Sequence, residues 1–334
     1  MITDPAPLLS MEDVSVKFVS REHTVHAVNE VNLTLARGEV LCIIGESGSG
    51  KSVTMRAIMR LLPMRKTKIT GRISVAGQDI LAMSQSKLSD LRGDLVSMIF
   101  QEPMTALDPV YSVGHQIAET VRRHEGCSIE AGMARALELL ELVKVPSAER
   151  RLKAYPHELS GGLRQRAMIA MSLSCRPEIL LADEPTTALD ATVQIQVLIL
   201  LRRLQAELGM GVIFVTHDLG VAAEIADRVA VMYGGRIVES GTVSEVLRNP
   251  QHPYTQGMLS STVHGNMRGT DIEAIPGSPP DMRRPPAGCS FAPRCALAEA
   301  TCFKTPPADV VIGTARSARC HLLTPAETAI QTGT

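Results

Sequence analysis

The stretch Val40-Leu41-Cys42-Ile43-Ile44-Gly45-Glu46-Ser47-Gly48-Ser49-Gly50-Lys51-Ser52 decides how this chain folds. Five apolar residues in a row, stopped by glycine, suit a strand buried on both faces. Gly45 to Ser52 fit the pattern G-x-x-x-x-G-K-[ST], the P-loop, and a helical run from Lys51 to about Leu62 follows, ended by Pro63. Gly45, Gly48 and Gly50 let the backbone curl around Ser47 so that successive N–H groups point inward, and the helix N-terminus adds partial positive charge. A phosphate chain is favoured there. Lys51 is placed to reach the β- and γ-phosphates, and the Ser52 hydroxyl to ligate Mg²⁺.

Upstream, Leu9, Met11, Val14, Val16 and Phe18 alternate as one strand, and Val31, Leu33 and Leu35 as another. Downstream, residues 69–81 read as strand with Gly71 and Gly77 as turns, and residues 95–100 as a buried strand. From about Val113 to Leu142 the period is helical, which predicts a helical insertion. Strands return at 179–182, 212–215 and 229–232, separated by helices at 191–208 and 219–226. Such alternation predicts an α/β fold, a parallel sheet covered by helices. From about residue 250 the chain turns rich in Pro and Gly, and a tail module is expected there.

With 34 Lys and Arg against 35 Asp and Glu, the 334-residue chain is nearly neutral, so no nucleic-acid partner is expected. Aromatics are only 3 %, without Trp, poor material for base stacking or for an aromatic membrane belt. No apolar run approaches the length of about 20 residues that a bilayer requires. The start, MITDPAPLLSMED, does not read as a signal peptide. A cytosolic protein that reaches a membrane only through a partner is the expectation.

Two further segments carry chemistry. Ile179-Leu-Leu-Ala-Asp183-Glu184 delivers two carboxylates at the end of an apolar strand, where open α/β sheets bind ligands. Beside a P-loop, Asp183 suits the Mg²⁺ water shell and Glu184 the attacking water. Alone, the pair reads as a solvated loop or helix cap. Leu159-Ser160-Gly161-Gly162 precedes a helix and is either a second anion-binding start or an ordinary cap by Ser160.

The P-loop, Leu-Ser-Gly-Gly, Asp183-Glu184 and a later His217 follow one another as in the ABC ATPases, and the resemblance spans about residues 8–250. It implies a P-loop ABC ATPase core (1–250) with a helical subdomain (about 102–176), two such domains sandwiching ATP head to tail. Ser160 and Gly162, with Gly161 in the same turn, then meet the nucleotide held by the opposite subunit. Gln101 resembles the loop glutamine that senses Mg²⁺ and the γ-phosphate, Asp190 the loop that crosses the dimer interface, and His217 the switch histidine. Glu184, His217 and Gln101 are the expected catalytic set, and Ser52, Asp183 and Gln101 the Mg²⁺ set. Leu163 stands where many members have Gln, and Phe18 is the only nearby aromatic for the adenine.

Phe100-Gln-Glu-Pro-Met-Thr-Ala-Leu-Asp-Pro109, His252-Pro253-Tyr254, Pro276-Gly-Ser-Pro-Pro280 and Cys289-Ser-Phe-Ala-Pro-Arg-Cys295 resemble the oligopeptide and dipeptide importer ATPases. That implies a C-terminal extension (251–334) and coupling of ATP hydrolysis to peptide import. The implied partners are a second, related ATPase, two permeases and an extracytoplasmic binding protein, with this chain peripheral on the cytoplasmic side of the inner membrane. A soluble ABC ATPase acting on ribosomes or DNA, or an importer of nickel chelates or glutathione, is the alternative. Of seven cysteines, Cys289, Cys295, Cys302 and Cys320 cluster in the tail, separated by five, six and seventeen residues. Four thiolates can hold a [4Fe–4S] cluster or Zn²⁺. Importer ATPases with this tail pattern carry the [4Fe–4S] cluster, which the resemblance implies here.

Overall fold

A computed structural model describes residues 6–102, 106–187, 189–261 and 274–323. The middle of the Phe100–Pro109 segment and Ala188 lie outside the described residues. The main sheet is built on β3 (Val40–Ile44), β6 (Val96–Ile99), β7 (Ile179–Asp183), β8 (Gly211–Thr216) and β9 (Arg228–Tyr233). These run parallel in the order β9-β3-β8-β7-β6. Their residues alternate between two cores. Val40, Cys42, Ile44, Leu180, Ala182, Val212 and Phe214 face one, and Leu41, Ile43, Ile179, Leu181, Ile213 and Val215 the other. Burial on both faces is why these strands read as unbroken apolar runs.

A second, antiparallel sheet covers the latter face in the order β2-β1-β4-β5, from β1 (Leu9–Val19), β2 (Thr24–Leu35), β4 (Thr67–Val75) and β5 (Gln78–Asp79). Gly71, expected as a turn, lies inside β4 at φ +89°, and a Cβ there would stand 2.5 Å from the carbonyl oxygens of Glu12 and Asp13. The glycine permits close approach to the irregular stretch of β1 between Glu12 and Ser15. Helices Val113–Glu125, Ile129–Leu142, Ala148–Leu152 and Gly161–Ser172 form the insertion and pack on one another. Ser112 and Ser128 cap the first two by accepting the His115 and Ala131 N–H groups.

The tail joins the main sheet. β10 (Arg236–Thr242) pairs antiparallel with β9, β12 (Arg316–Ala318) with β10, and β11 (Val310–Gly313) with β12. His252 caps the helix Pro253–Ser260, its Nδ1 accepting the Tyr254 N–H at 3.0 Å. Burial lowers the His252 pKa to about 4, so the ring is neutral. No described helix is long and apolar enough to cross a membrane.

Candidate functional site

The P-loop leaves β3, His217 follows β8, Asp183 and Glu184 end β7, and Gln101 follows β6. Because these strands are consecutive neighbours, the sheet lines the four segments up along its carboxyl edge. Gly45 must be glycine: at φ +152° a Cβ would fall 2.1 Å from the Met232 carbonyl oxygen. Gly50, at φ +110°, is likewise pressed against the Ala27 carbonyl, 2.5 Å from where a Cβ would sit.

Lys51 is buried, its Nζ donating to the carbonyls of Gly45 (2.7 Å) and Glu46 (2.9 Å). Burial lowers its pKa, opposed by the charges of Glu184, Asp183 and Glu46. Ser52 Oγ donates to Asp183 Oδ1 at 2.8 Å, which unites the two residues expected to share Mg²⁺. Burial raises the Asp183 pKa, opposed by that Ser52 bond. A carboxylate stripped of water in this way gains from a cation beside it.

Glu184 adopts φ +46°, unusual for a side chain of its kind. Its carboxylate accepts from Thr187 Oγ1 at 2.9 Å and Gln101 Nε2 at 3.2 Å, and lies 3.5 Å from His217 Nδ1. The structure thus gathers all three expected catalytic residues. Gln101 reaches Glu184, and the Ser52–Asp183 pair is bonded without it. Thr187 is an addition that no sequence pattern singled out.

Ser160 starts the helix Gly161–Ser172 at φ −65°, ψ 162°, nearly the backbone of the capping Ser112, yet its side chain accepts no cap hydrogen bond. The hydroxyl is exposed and uncommitted, unlike that of an ordinary cap. Gly162 sits where a Cβ would come 2.8 Å from Val193 Cγ1, so a side chain there meets the helix Ala191–Leu208. Asp190 caps that helix, accepting the Val193 N–H at 3.0 Å. Phe18 is half-buried on β1, packed on the core beneath the antiparallel sheet.

The tail reaches the P-loop. Tyr254 Oη accepts the Glu46 N–H at 2.9 Å, and Arg294 grips the Glu46 carboxylate at 2.8 and 3.1 Å. These contacts were not foreseen, although the strings His252-Pro-Tyr and Cys289–Cys295 marked both segments.

All seven cysteines are free thiols. Cys289, Cys295, Cys302 and Cys320 line one small pocket with Phe291 and Leu322. Burial raises the pKa of Cys289, Cys295 and Cys320, and backbone N–H groups bonded to the sulfurs oppose it. Among the described residues, however, no three His, Cys, Asp or Glu form a group that could hold a metal ion. The four cysteines expected to hold an iron–sulfur cluster or zinc thus share one pocket without forming such a group.

A P-loop on a parallel sheet, two carboxylates two strands away and an unspent Ser-Gly-Gly helix start define a nucleoside triphosphatase of the cassette class. Residues 28–187 match the family described as ABC transporter, and residues 238–302 match the oligopeptide/dipeptide transporter C-terminal region. A putative peptide import ATP-binding protein of Brucella abortus is 48 % identical over 94 % of this chain and 96 % of its own length. The oligopeptide transport ATP-binding protein OppD of Bacillus subtilis is 49 % identical over 90 % of this chain and 84 % of its own. Among solved structures, dimeric MJ0796 bound to ADP and Pi after hydrolysis superposes with a TM-score of 0.63 at 30 % identity, covering 70 % of this chain and 98 % of that one. The chain belongs to the ABC transporter ATPases, in the branch that carries the oligopeptide/dipeptide C-terminal region, and is an ATP-hydrolysing enzyme.

Proposed function

We propose that this ATPase drives import of di- or oligopeptides, working beneath two permeases on the cytoplasmic face of the inner membrane and paired with a related, non-identical ATPase. An extracytoplasmic binding protein delivers the cargo. The observation that carries this reading is the match of residues 238–302 to the peptide-transporter C-terminal region, supported by the names of its relatives. Residues 1–250 serve as the ATPase domain, about 102–176 as its helical subdomain, and 251–334 as the extension.

The P-loop amides and Lys51 hold the β- and γ-phosphates, with Ser52 and Asp183 disposed toward Mg²⁺, which shields the phosphate charge when bound. Ser160, Gly161 and Gly162 of the partner ATPase close over the terminal phosphate, with Asp190 at the joint and Phe18 toward the adenine. Glu184 accepts the proton of the attacking water as the P–O bond to the leaving ADP breaks. Gln101 and His217, both at that carboxylate, carry the nucleotide state outward. The groove between the Gln101 loop and the helical subdomain receives a permease helix.

Uptake of a labelled dipeptide and a labelled oligopeptide by a strain deleted for this chain is expected to stop and to return with the wild-type gene. Uptake that persists after deletion would refute peptide import.

The four tail thiols serve, in this reading, as ligands of a [4Fe–4S] cluster. All four line one pocket, and peptide N–H groups bonded to the sulfurs of Cys289, Cys295 and Cys320 oppose the cost of burying a thiolate. Bound there, the group adds folding energy to the tail. Anaerobically purified protein should show iron–sulfur absorbance that Cys295→Ser loses. Absorbance unchanged by that substitution rejects the ligand.

A further inference from the structure

The geometry points to Arg294 of the C-terminal extension as a positioning residue of the nucleotide site, which neutralises and fixes the P-loop residue Glu46. The claim rests on the ATP-binding reading above and adds a residue to it from outside the ATPase motifs.

Every polar group of Glu46 is engaged. Its N–H donates to Tyr254 Oη at 2.9 Å, its carbonyl accepts from Lys51 Nζ at 2.9 Å, and its carboxylate accepts two Arg294 bonds at 2.8 and 3.1 Å. Arg294 is equally committed. Its remaining N–H groups donate to Tyr233 Oη (3.1 Å), the Pro276 carbonyl (2.8 Å) and the Ile275 carbonyl (3.3 Å). Five donors meet five acceptors, which exhausts the guanidinium.

The Arg294 side chain is 6 % exposed, and its guanidinium carbon lies 5.7 Å from the centre of the Tyr233 ring. Tyr233, Tyr254 and Phe291 cluster beside it, the two tyrosines tilted with centroids 4.5 Å apart and Phe291 edge-on to both. A bidentate fork sealed in this way fixes direction as well as charge.

The functional consequence is electrostatic. Glu46 puts a carboxylate inside the loop that must receive a triphosphate, one residue from Gly45 and five from Lys51. Unpaired, it would repel the phosphates at short range through a partly desolvated path. Arg294 cancels that charge, and its ties to Tyr233 and the 275–276 backbone hold the loop against β9.

The test reads ATP affinity from equilibrium binding of a fluorescent ATP analogue to the full chain, with thermal melting as the folding control. Arg294→Met is expected to weaken binding about tenfold, a coupling typical of hydrogen-bonded neighbours, and to raise KM with kcat little changed. Adding Glu46→Gln removes the stranded charge and should bring affinity back to within about twofold of wild type. Arg294→Lys keeps the charge without the fork and should stay closer to wild type than the Met variant, which keeps the claim testable should the latter fail to fold. Wild-type affinity in Arg294→Met, a Lys variant that binds no better than wild type weakened about tenfold, or a double variant no better than the single one would overturn the claim. Wild-type protein that binds no ATP would instead sink the underlying reading.

Discussion

Glu184→Gln is expected to bind ATP and close on its partner ATPase while hydrolysing about 10²- to 10⁴-fold more slowly, the range for loss of a positioned general base. The geometry explains the selectivity. The glutamine side chain fills the same volume, so the φ +46° backbone and the 3.0 Å bond from its N–H to the Val215 carbonyl are undisturbed. What disappears is a carboxylate that Thr187 and Gln101 meet at Oε2 and His217 faces at Oε1. An amide takes no proton from water, while its oxygen, set where Glu184 Oε2 stands, can still accept from both Thr187 and Gln101. Binding should not suffer, because Lys51 and the loop amides are untouched and one negative charge has left the neighbourhood of the triphosphate. Phosphate release by the assembled transporter, alongside retention of labelled ATP, measures both halves. Turnover near the wild-type rate would show that another group takes the proton.

How much of this site could be read beforehand varied with sequence distance. The P-loop is local: strand, glycines, lysine and helix lie within one stretch, so pattern and physics coincide. Asp183 and Glu184 were legible because an apolar strand leads straight into them. That Gln101, Glu184 and His217 meet is a property of strand order, β8-β7-β6, which no local pattern encodes; only likeness to a family suggested it. The links of Tyr254 and Arg294 to Glu46 span 208 and 248 residues and were invisible for the same reason. Gly71, between Thr70 and Arg72, reads as a turn because a glycine inside a strand pattern signals equally a turn or a close backbone approach. The tail, rich in Pro and Gly, carries no strong periodic pattern of its own. It packs by adding β12 to β10 and by driving Phe291 between two tyrosines of the ATPase side and the His-Pro-Tyr helix. The thiols were legible as a group, but whether four cysteines form a ligand set depends on angstrom-scale convergence, which spacing does not determine.

Ser160→Arg should abolish hydrolysis while leaving the affinity of the isolated chain for ATP unchanged. The isolated chain meets the nucleotide through its own P-loop, on the carboxyl edge of the main sheet, whereas Ser160 stands on the insertion, at the start of a helix packed on Ile129–Leu142 and Val113–Glu125. Within one chain its hydroxyl does nothing: it is exposed and caps no N–H although the backbone is set for capping. A polar start of this kind, followed by two glycines whose amides are bare, has the form of a phosphate clamp aimed outward. An arginine there obstructs closure of the partner's nucleotide against this surface and displaces the hydroxyl donor, a loss of about 10²- to 10³-fold when a single preorganised donor is removed from a transition state. Ser160→Ala should fall between wild type and the arginine variant, since it removes the donor but keeps the surface flat. Binding of a fluorescent ATP analogue to the isolated chain, set against phosphate release by the assembled pair, separates the two functions. If Ser160→Arg weakens binding by the isolated chain, the serine acts on its own nucleotide; if it leaves turnover of the pair intact, the clamp between subunits does not exist.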